Sequence, residues 1–421
     1  MNKRKTLNTI FIAILFAAMI LGFGKTFLFP KDINEYENRY ANKVSEFSIS
    51  SYLRTDFQDS LEAAFADQIP LSEEAKENYN LFFSGIEKKT IDYLQSRIVT
   101  DDPNETDTEP VKSEDPWDWL MAEKNTDKTI SSYIQLSNGM YIYNNHILYG
   151  PNKLEWALPQ YQARIDNINS LIDRHPEFEY YAYYVESDVG TDYTTNEKSG
   201  VADYVYENLN IPENHKGIYP VSCFDTLDKN FYKTDHHWNH LGSYRAYRFL
   251  GEVLGYSDFL EPTEEITIGV FSGSKATGSD SSFSEIFKAY VFDFPECSYY
   301  SNGKQVDDYG FQTAWIKRIK NGEEISNISY GNFYGQDNGE LIIENPSSDG
   351  GTILIFGESY DNALLKLLSN HYSKIISIDL RNYQAQTGKK FSFDSYVKGK
   401  DIDKVLFIGS CGYWYMEEFY L

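Results

Sequence analysis

The chain has 421 residues, 63 acidic against 38 basic side chains and a net charge of −25, which argues against a nucleic-acid partner because phosphate binding needs a basic face. Its length allows one large or two ordinary domains and a substantial core. Three cysteines, Cys223, Cys297 and Cys411, are too few and too scattered for a disulfide framework or a zinc site.

Residues 1–30 set the localisation. Lys3, Arg4 and Lys5 precede the apolar run from Thr9 to Phe23, and a second apolar patch spans Thr26 to Phe29. The pattern predicts a signal peptide or an uncleaved signal anchor, with the anchor preferred because no good small-x-small cleavage site follows; the rest of the chain then lies outside the cell. Residues 31–130 read as a helical region, with amphipathic spacing over 51–66 and 73–98. Within it, residues 101–116 hold seven acidic side chains, one lysine and three prolines, the composition of a solvated, disordered loop.

Residues 131–421 read as the main domain. Alternation around Asn144-Asn145 predicts a hairpin over 137–149. A helix over 159–174, a strand over 178–185, a helix over 202–209 and a strand over 217–224 follow, an alternation that argues for a parallel sheet with helices on both faces. Residues 265–345 differ in texture, with short β-rich runs separated by Asn-Gly at 302–303, 321–322 and 338–339, and are expected to form inserted hairpins. Thr352 to Phe356 reads as a buried strand that ends at Gly357. A helix from Tyr360 and a parallel neighbour strand over 375–380 come next.

Two stretches carry chemistry. Ser359 lies in the turn beyond the 352–356 strand, where open α/β sheets present residues to ligands. It is a candidate nucleophile beside free backbone N–H groups that suit an oxyanion; on this segment alone a helix N-cap is the preferred reading, since serine is a favoured cap. Lys233 to Leu250 contains Asp235, His236, His237 and His240 before a helix whose apolar face includes Tyr244, Tyr247 and Leu250. Asp235, His237 and His240 are a candidate metal set, but no second cluster supports one and no metal is expected. The histidines also suit a capping and packing role. In the third reading Asp235 orients the His237 imidazole, which serves Ser359 as general base, with His236 pointing away as a structural or substrate-facing residue.

Phe231-Tyr-Lys-Thr-Asp-His-His-Trp238, the following Asn239-His-Leu-Gly-Ser-Tyr244, Gly357-Glu-Ser-Tyr360, Ile378-Asp-Leu-Arg-Asn382 and Glu37-Asn-Arg39 together resemble the DHHW-motif family, exported bacterial proteins similar to the SGNH-like O-acetyltransferases of alginate biosynthesis. The resemblance implies an α/β, flavodoxin-like (SGNH-like, permuted) three-layer sandwich in which the Asp-x-His element precedes the serine. It implies Ser359 as nucleophile, His237 as base and Asp235 as its orienting carboxylate. Arg381, Tyr360 and His236 are expected to bind substrate. Glu358 departs from the aspartate usual in the family and adds a negative charge beside the oxyanion site. The implied activity is acetyl transfer to a cell-envelope or secreted polysaccharide outside a Gram-positive-like cell, without a cofactor, the donor being supplied by a membrane-bound O-acyltransferase. An acetylesterase shares the first half-reaction, and a non-catalytic envelope scaffold or glycan-binding protein is the reading in which Ser359 only caps a helix.

Overall fold

The computed structural model describes residues 139–421 apart from 280–282, 308–311, 326–327 and 417–420, together with 117–121, 129–130, 132–136 and scattered positions between 33 and 64. The expected anchor, the 73–98 helix and the acidic loop lie outside the described residues. Among those described, no helix is long and apolar enough to cross a membrane. The chain divides into two compact units, Met1–Lys89 and Thr90–Leu421. In the first, Ile33–Asn34 pairs antiparallel with Arg39–Tyr40, and the described positions between Tyr52 and Ala64 are helical, within the helix expected over 51–66.

In the second unit a one-turn helix, Asp118–Met121, precedes a three-stranded sheet of β1 (Ile134–Gln135), β2 (Tyr141–Tyr143) and β3 (His146–Leu148). The hairpin turns on Asn144 and Asn145 at φ 47° and 63°, a left-handed pair that asparagine tolerates. The expected helix is α1 (Leu158–Arg174) and the expected strand is β4 (Glu179–Val185). After α2 (Val201–Asn208), β5 covers only Lys216–Tyr219. It stops short of the expected 224 because Pro220 lacks the N–H that a ladder needs, and Phe224 opens α3 (Phe224–Asn230). The helix after the histidines is α4 (His240–Leu254), with Tyr244, Tyr247 and Leu250 buried as its spacing predicts.

The stretch expected to be inserted hairpins has a mixed structure. β6 (Glu264–Phe271) and β7 (Glu285–Val291) form a ribbon bridged by the short helix α5 (Ser274–Gly278). β8 (Ser298–Ser301) and β9 (Lys304–Val306) are a true hairpin, turning on Asn302 and Gly303 at φ 48° and 76°. At the second Asn-Gly the structure corrects the expectation: Gly322, at φ 83°, follows the helix α6 (Gln312–Lys320) instead of joining two strands. The left-handed conformation serves a helix C-terminus as well as a hairpin, so the dipeptide does not distinguish them. The third Asn-Gly leads into β10 (Glu340–Glu344), after the short helix α7 (Tyr330–Tyr334).

The chain then runs β11 (Thr352–Phe356), α8 (Asn362–Leu368), β12 (Lys374–Ile378), α9 (Leu380–Thr387), α10 (Phe393–Val397), β13 (Lys404–Gly409) and α11 (Cys411–Tyr415). One eight-stranded sheet has the order β9-β8-β10-β12-β11-β13-β4-β5. The five strands from β12 to β5 are parallel, and β10, β8 and β9 extend them antiparallel. Both faces are covered, which is why the central strands read as nearly continuous apolar runs. One face packs on α4 and α8 through Tyr181, Tyr183, Ile353 and Ile355; the other packs on α1, α2 and α10 through Tyr180, Ala182, Leu354 and Phe356. Much of the tyrosine is therefore core.

Candidate active site

Phe231 and Trp238 form an antiparallel bridge at the base of a loop. Tyr232 N–H donates to the His237 carbonyl, and Asn239 N–H to that of Asn230. The loop thus closes on itself and presents Asp235, His236 and His237 at its tip. Trp238, wholly buried, packs edge-on against Tyr219 and Tyr360 and fixes the loop to the sheet. The cap of α4 is Asn239, whose side chain accepts from Leu241 N and Gly242 N at 2.9 and 3.0 Å; the histidines do not cap it.

Ser359 lies in the turn after β11, facing that tip. Its Oγ is 2.7 Å from His237 Nε2, and His237 Nδ1 is 2.5 Å from Asp235 Oδ1. With the ring proton on Nδ1, the imidazole donates to the carboxylate and accepts from the serine hydroxyl. Asp235 also accepts from His237 N at 2.9 Å and, through Oδ2, from Ser274 N of α5 at 2.7 Å. Burial alone would raise the Asp235 pKa, but the two imidazoles and the Ser274 N–H hold it well below the usual carboxylate range. The His237 ring stacks flat on Tyr330 at 3.8 Å. Ser359 is not the cap of α8: that helix begins at Asn362 after Asp361, and the serine hydroxyl is engaged with His237. The premise of the helix-cap reading is not met.

The remaining expected residues are placed as follows. His236 Nδ1 lies 2.7 Å from Ser274 Oγ, and its side chain is 37 % exposed. Tyr360 is buried, and its hydroxyl donates to the His236 carbonyl, so it braces the loop instead of meeting substrate. Arg381 donates to Asp379 and, through Nη2, to Asp337 at 2.9 Å; among the described residues its Nη1 has no partner. His240 turns away to Glu265 at 3.1 Å, so the Asp235, His237 and His240 metal set does not converge. Asp235, His236 and His237 do bring ligand atoms within 4.8 Å of one another, but those atoms already serve the bonds just described. Glu358 is buried, and its Oε1 accepts from Ser410 N at 2.6 Å. It thereby ties the turn after β11 to the exit of β13. Burial pushes its carboxyl above the ordinary range against the pull of Arg381.

Sequence reasoning missed Ser274, Tyr330 and Glu285. Glu285 accepts from Thr234 N and Oγ1 at 2.8 and 2.7 Å, bracing the loop from the ribbon side. No local signal marks these three.

The model of the DHHW protein family matches residues 185–378, a span that holds both Asp235-His-His-Trp238 and Ser359. Over this span, a little under half of the chain, the sequence is similar to the DHHW family. Among solved structures, Bacillus cereus PatB1 is similar with a TM-score of 0.50 and 17 % identity, over 68 % of this chain and 99 % of its own. A DHHW family protein from Eubacterium siraeum gives a TM-score of 0.50 at 18 % identity, over 68 % and 95 % of the two chains. At these identities the likeness shows a shared fold. The O-acetyltransferase domain of Pseudomonas putida AlgJ aligns over 68 % of this chain and 93 % of its own at 10 % identity and a TM-score of 0.35, too loosely to carry an argument. No curated protein matches this chain in sequence.

Proposed function

We propose that this chain is an extracytoplasmic SGNH-like O-acetyltransferase that moves an acetyl group through Ser359 to hydroxyls of a cell-envelope or secreted polysaccharide. The observation that carries the reading is the hydrogen-bonded series Asp235, His237, Ser359 at the carboxyl end of β11. Counted from β11 through β12, β13, β4 and β5, the parallel strands lie in the order 2-1-3-4-5. That is the flavodoxin-like order, with its switch point between β11 and β13. A permuted flavodoxin-like sheet accords with an SGNH-like site in which the histidine motif comes first in the chain.

His237 Nε2 takes the Ser359 proton as Oγ forms a bond to the acyl carbon, and the donor's oxygen leaves with that proton. A sugar hydroxyl then gives its proton to Nε2 as it attacks the acyl carbon, the bond to Oγ breaks, and Nε2 returns the proton to Oγ. Asp235 holds the ring in orientation and stabilises the imidazolium. The Ser359 N–H, which has no acceptor among the described residues, is a donor for the oxyanion. Arg381 Nη1 and the exposed edge of His236 are the groups offered to substrate. A membrane-bound O-acyltransferase as donor and an N-terminal membrane anchor complete the proposal.

Ser359 is partly exposed, and water that reaches the acyl-enzyme makes the same residues an acetylesterase. Intact-mass analysis of the protein after an activated acetyl ester tests the shared step: wild type gains one acetyl group, and Ser359→Ala and His237→Ala do not. An unmodified wild type sinks the assignment. Supplying a polysaccharide acceptor then separates transfer from hydrolysis.

A further inference from the structure

Beside the carboxyl ends of β4 and β5 lies a cleft of about 220 Å³, lined in part by Glu186, Lys198, Ser199, Ala202 and Ser222. Glu186 follows β4 directly and is only 7 % exposed, yet among the described residues its Oε1 has no hydrogen-bond partner. The buried Ser222 Oγ also lacks one among them. The cleft receives the start of α2, where the Ala202 and Asp203 N–H groups have no acceptor among the described residues, as the first turn of a helix requires. Ser199 Oγ accepts from Val201 N at 3.3 Å, which leaves its proton to give. Lys198 Nζ bridges Thr191 Oγ1 and the Val221 carbonyl at 2.9 and 3.0 Å across the same wall.

We infer that this cleft is a binding site, separate from Ser359, for a small monocarboxylate: a free acyl acid such as acetate, or the carboxyl group of a sugar acid. The donors of the cleft are hydroxyls, an ammonium and helix N-terminal N–H groups, and such a set favours an anion. Two carboxyl groups also line it, the exposed Asp203 and the buried Glu186, and Glu186 joins the donors when it carries its proton. Burial pushes its carboxyl up to about 7 against the pull of Lys198, with a smaller push from Asp203. The Tyr184 and Tyr193 phenols and the Cys411 thiol, all buried, lie within electrostatic range and are neutral. A protonated Glu186 donates to a carboxylate ligand, and an ionised one repels it. The exposed Asp203 carboxylate favours a ligand with one negative charge over one with two. This inference does not depend on the role of Ser359.

Titration calorimetry of the full-length protein with acetate, glucuronate and glucose at pH 6 and pH 8 tests it. Acetate or glucuronate binds at pH 6 and about tenfold more weakly at pH 8, the factor by which protonated Glu186 falls for a pKa near 7; glucose does not bind. Preference for glucuronate assigns the cleft to acid sugars and preference for acetate to the acyl product, and either upholds the proposal. Glu186→Gln, which donates at both pH values, flattens the pH dependence. Ser222→Ala weakens binding several-fold, and Ser359→Ala leaves it unchanged. The proposal is overturned if neither carboxylate binds at pH 6, if wild-type affinity is equal at the two pH values, if glucose binds as well, or if Ser359→Ala abolishes binding.

Discussion

Asp235 shows at the residue scale how burial and charge are reconciled. Three N–H donors, His237 Nδ1, His237 N and Ser274 N, converge on a carboxylate that is 4 % exposed, and against the cost of burial they and the charge interaction with the two imidazoles keep it ionised. Asp235→Asn keeps the shape but offers an amide N–H or a weaker acceptor to the ring. Acyl transfer is expected to fall on the order of 10⁴-fold, the size of the loss from a mis-set tautomer, with circular dichroism unchanged. Glu358 makes a different prediction. Its carboxyl lies above the usual 4.5 in the folded chain because burial disfavours the charge. The native state keeps a proton that the unfolded chain releases from about pH 4.5, so stability declines as pH rises through the folded value and stays lower above it. Glu358→Gln keeps an acceptor for Ser410 N and removes this penalty. Thermal scans should place the variant higher relative to wild type at pH 8 than at pH 5; an equal difference at both would mean that the carboxyl is ionised throughout.

At the scale of elements, the site is assembled where three pieces meet: the loop before α4, the turn after β11 and the start of α5. Asn239 holds the first, capping α4 with its oxygen and donating to the Lys229 carbonyl with its amide. Asn239→Ala is expected to cost about 1 kcal/mol for the cap alone, read from urea unfolding, and to lower activity further because the loop loses its anchor. Gly273 holds the third. A Cβ there would lie 2.3 Å from Asp235 Cβ and 2.6 Å from the Thr234 carbonyl, so α5 could no longer bring Ser274 N to the carboxylate. Gly273→Ala should therefore cut turnover by far more than its loss in melting temperature suggests, and wild-type turnover in this variant would count against the role given to α5. Elements with a strong period, such as α1, β4, α4 and β11, were legible in the chain. The 265–345 stretch was not, because Asn-Gly favours the left-handed conformation of a hairpin and of a helix C-terminus alike, and only the neighbours of each turn decide between them.

The whole molecule joins the β6–β7 ribbon to the sheet through a buried ion pair. Lys275 of α5 donates to Asp188 at 2.7 Å, with both side chains 2 % exposed. Lys275→Met leaves Asp188 buried with, among the described residues, the Tyr149 N–H alone as hydrogen-bond donor and should destabilise by about 3–5 kcal/mol. A fall in the urea midpoint checks this, and no fall would show that the pair does not hold the ribbon to the sheet. The pair lies 87 positions apart in the chain, and nothing in either neighbourhood announces it. Asp235, His237 and Ser359 were legible for the opposite reason: an Asp-x-His at one loop tip and a serine after an apolar strand are short contiguous patterns whose chemistry follows from residue type and spacing. By itself the sequence determined the alternation of helix and strand and the two-faced burial of the central sheet, both consequences of local periodicity, and it marked Asp235, His237 and Ser359 as candidates through side-chain chemistry together with the family resemblance. Only the tertiary structure decided that Ser359 meets His237 instead of capping α8, that Tyr360 braces the loop, and that Ser274, Tyr330 and Glu285 complete the surroundings. Those outcomes depend on which distant segments pack together, and the free energy of that packing belongs to the folded whole.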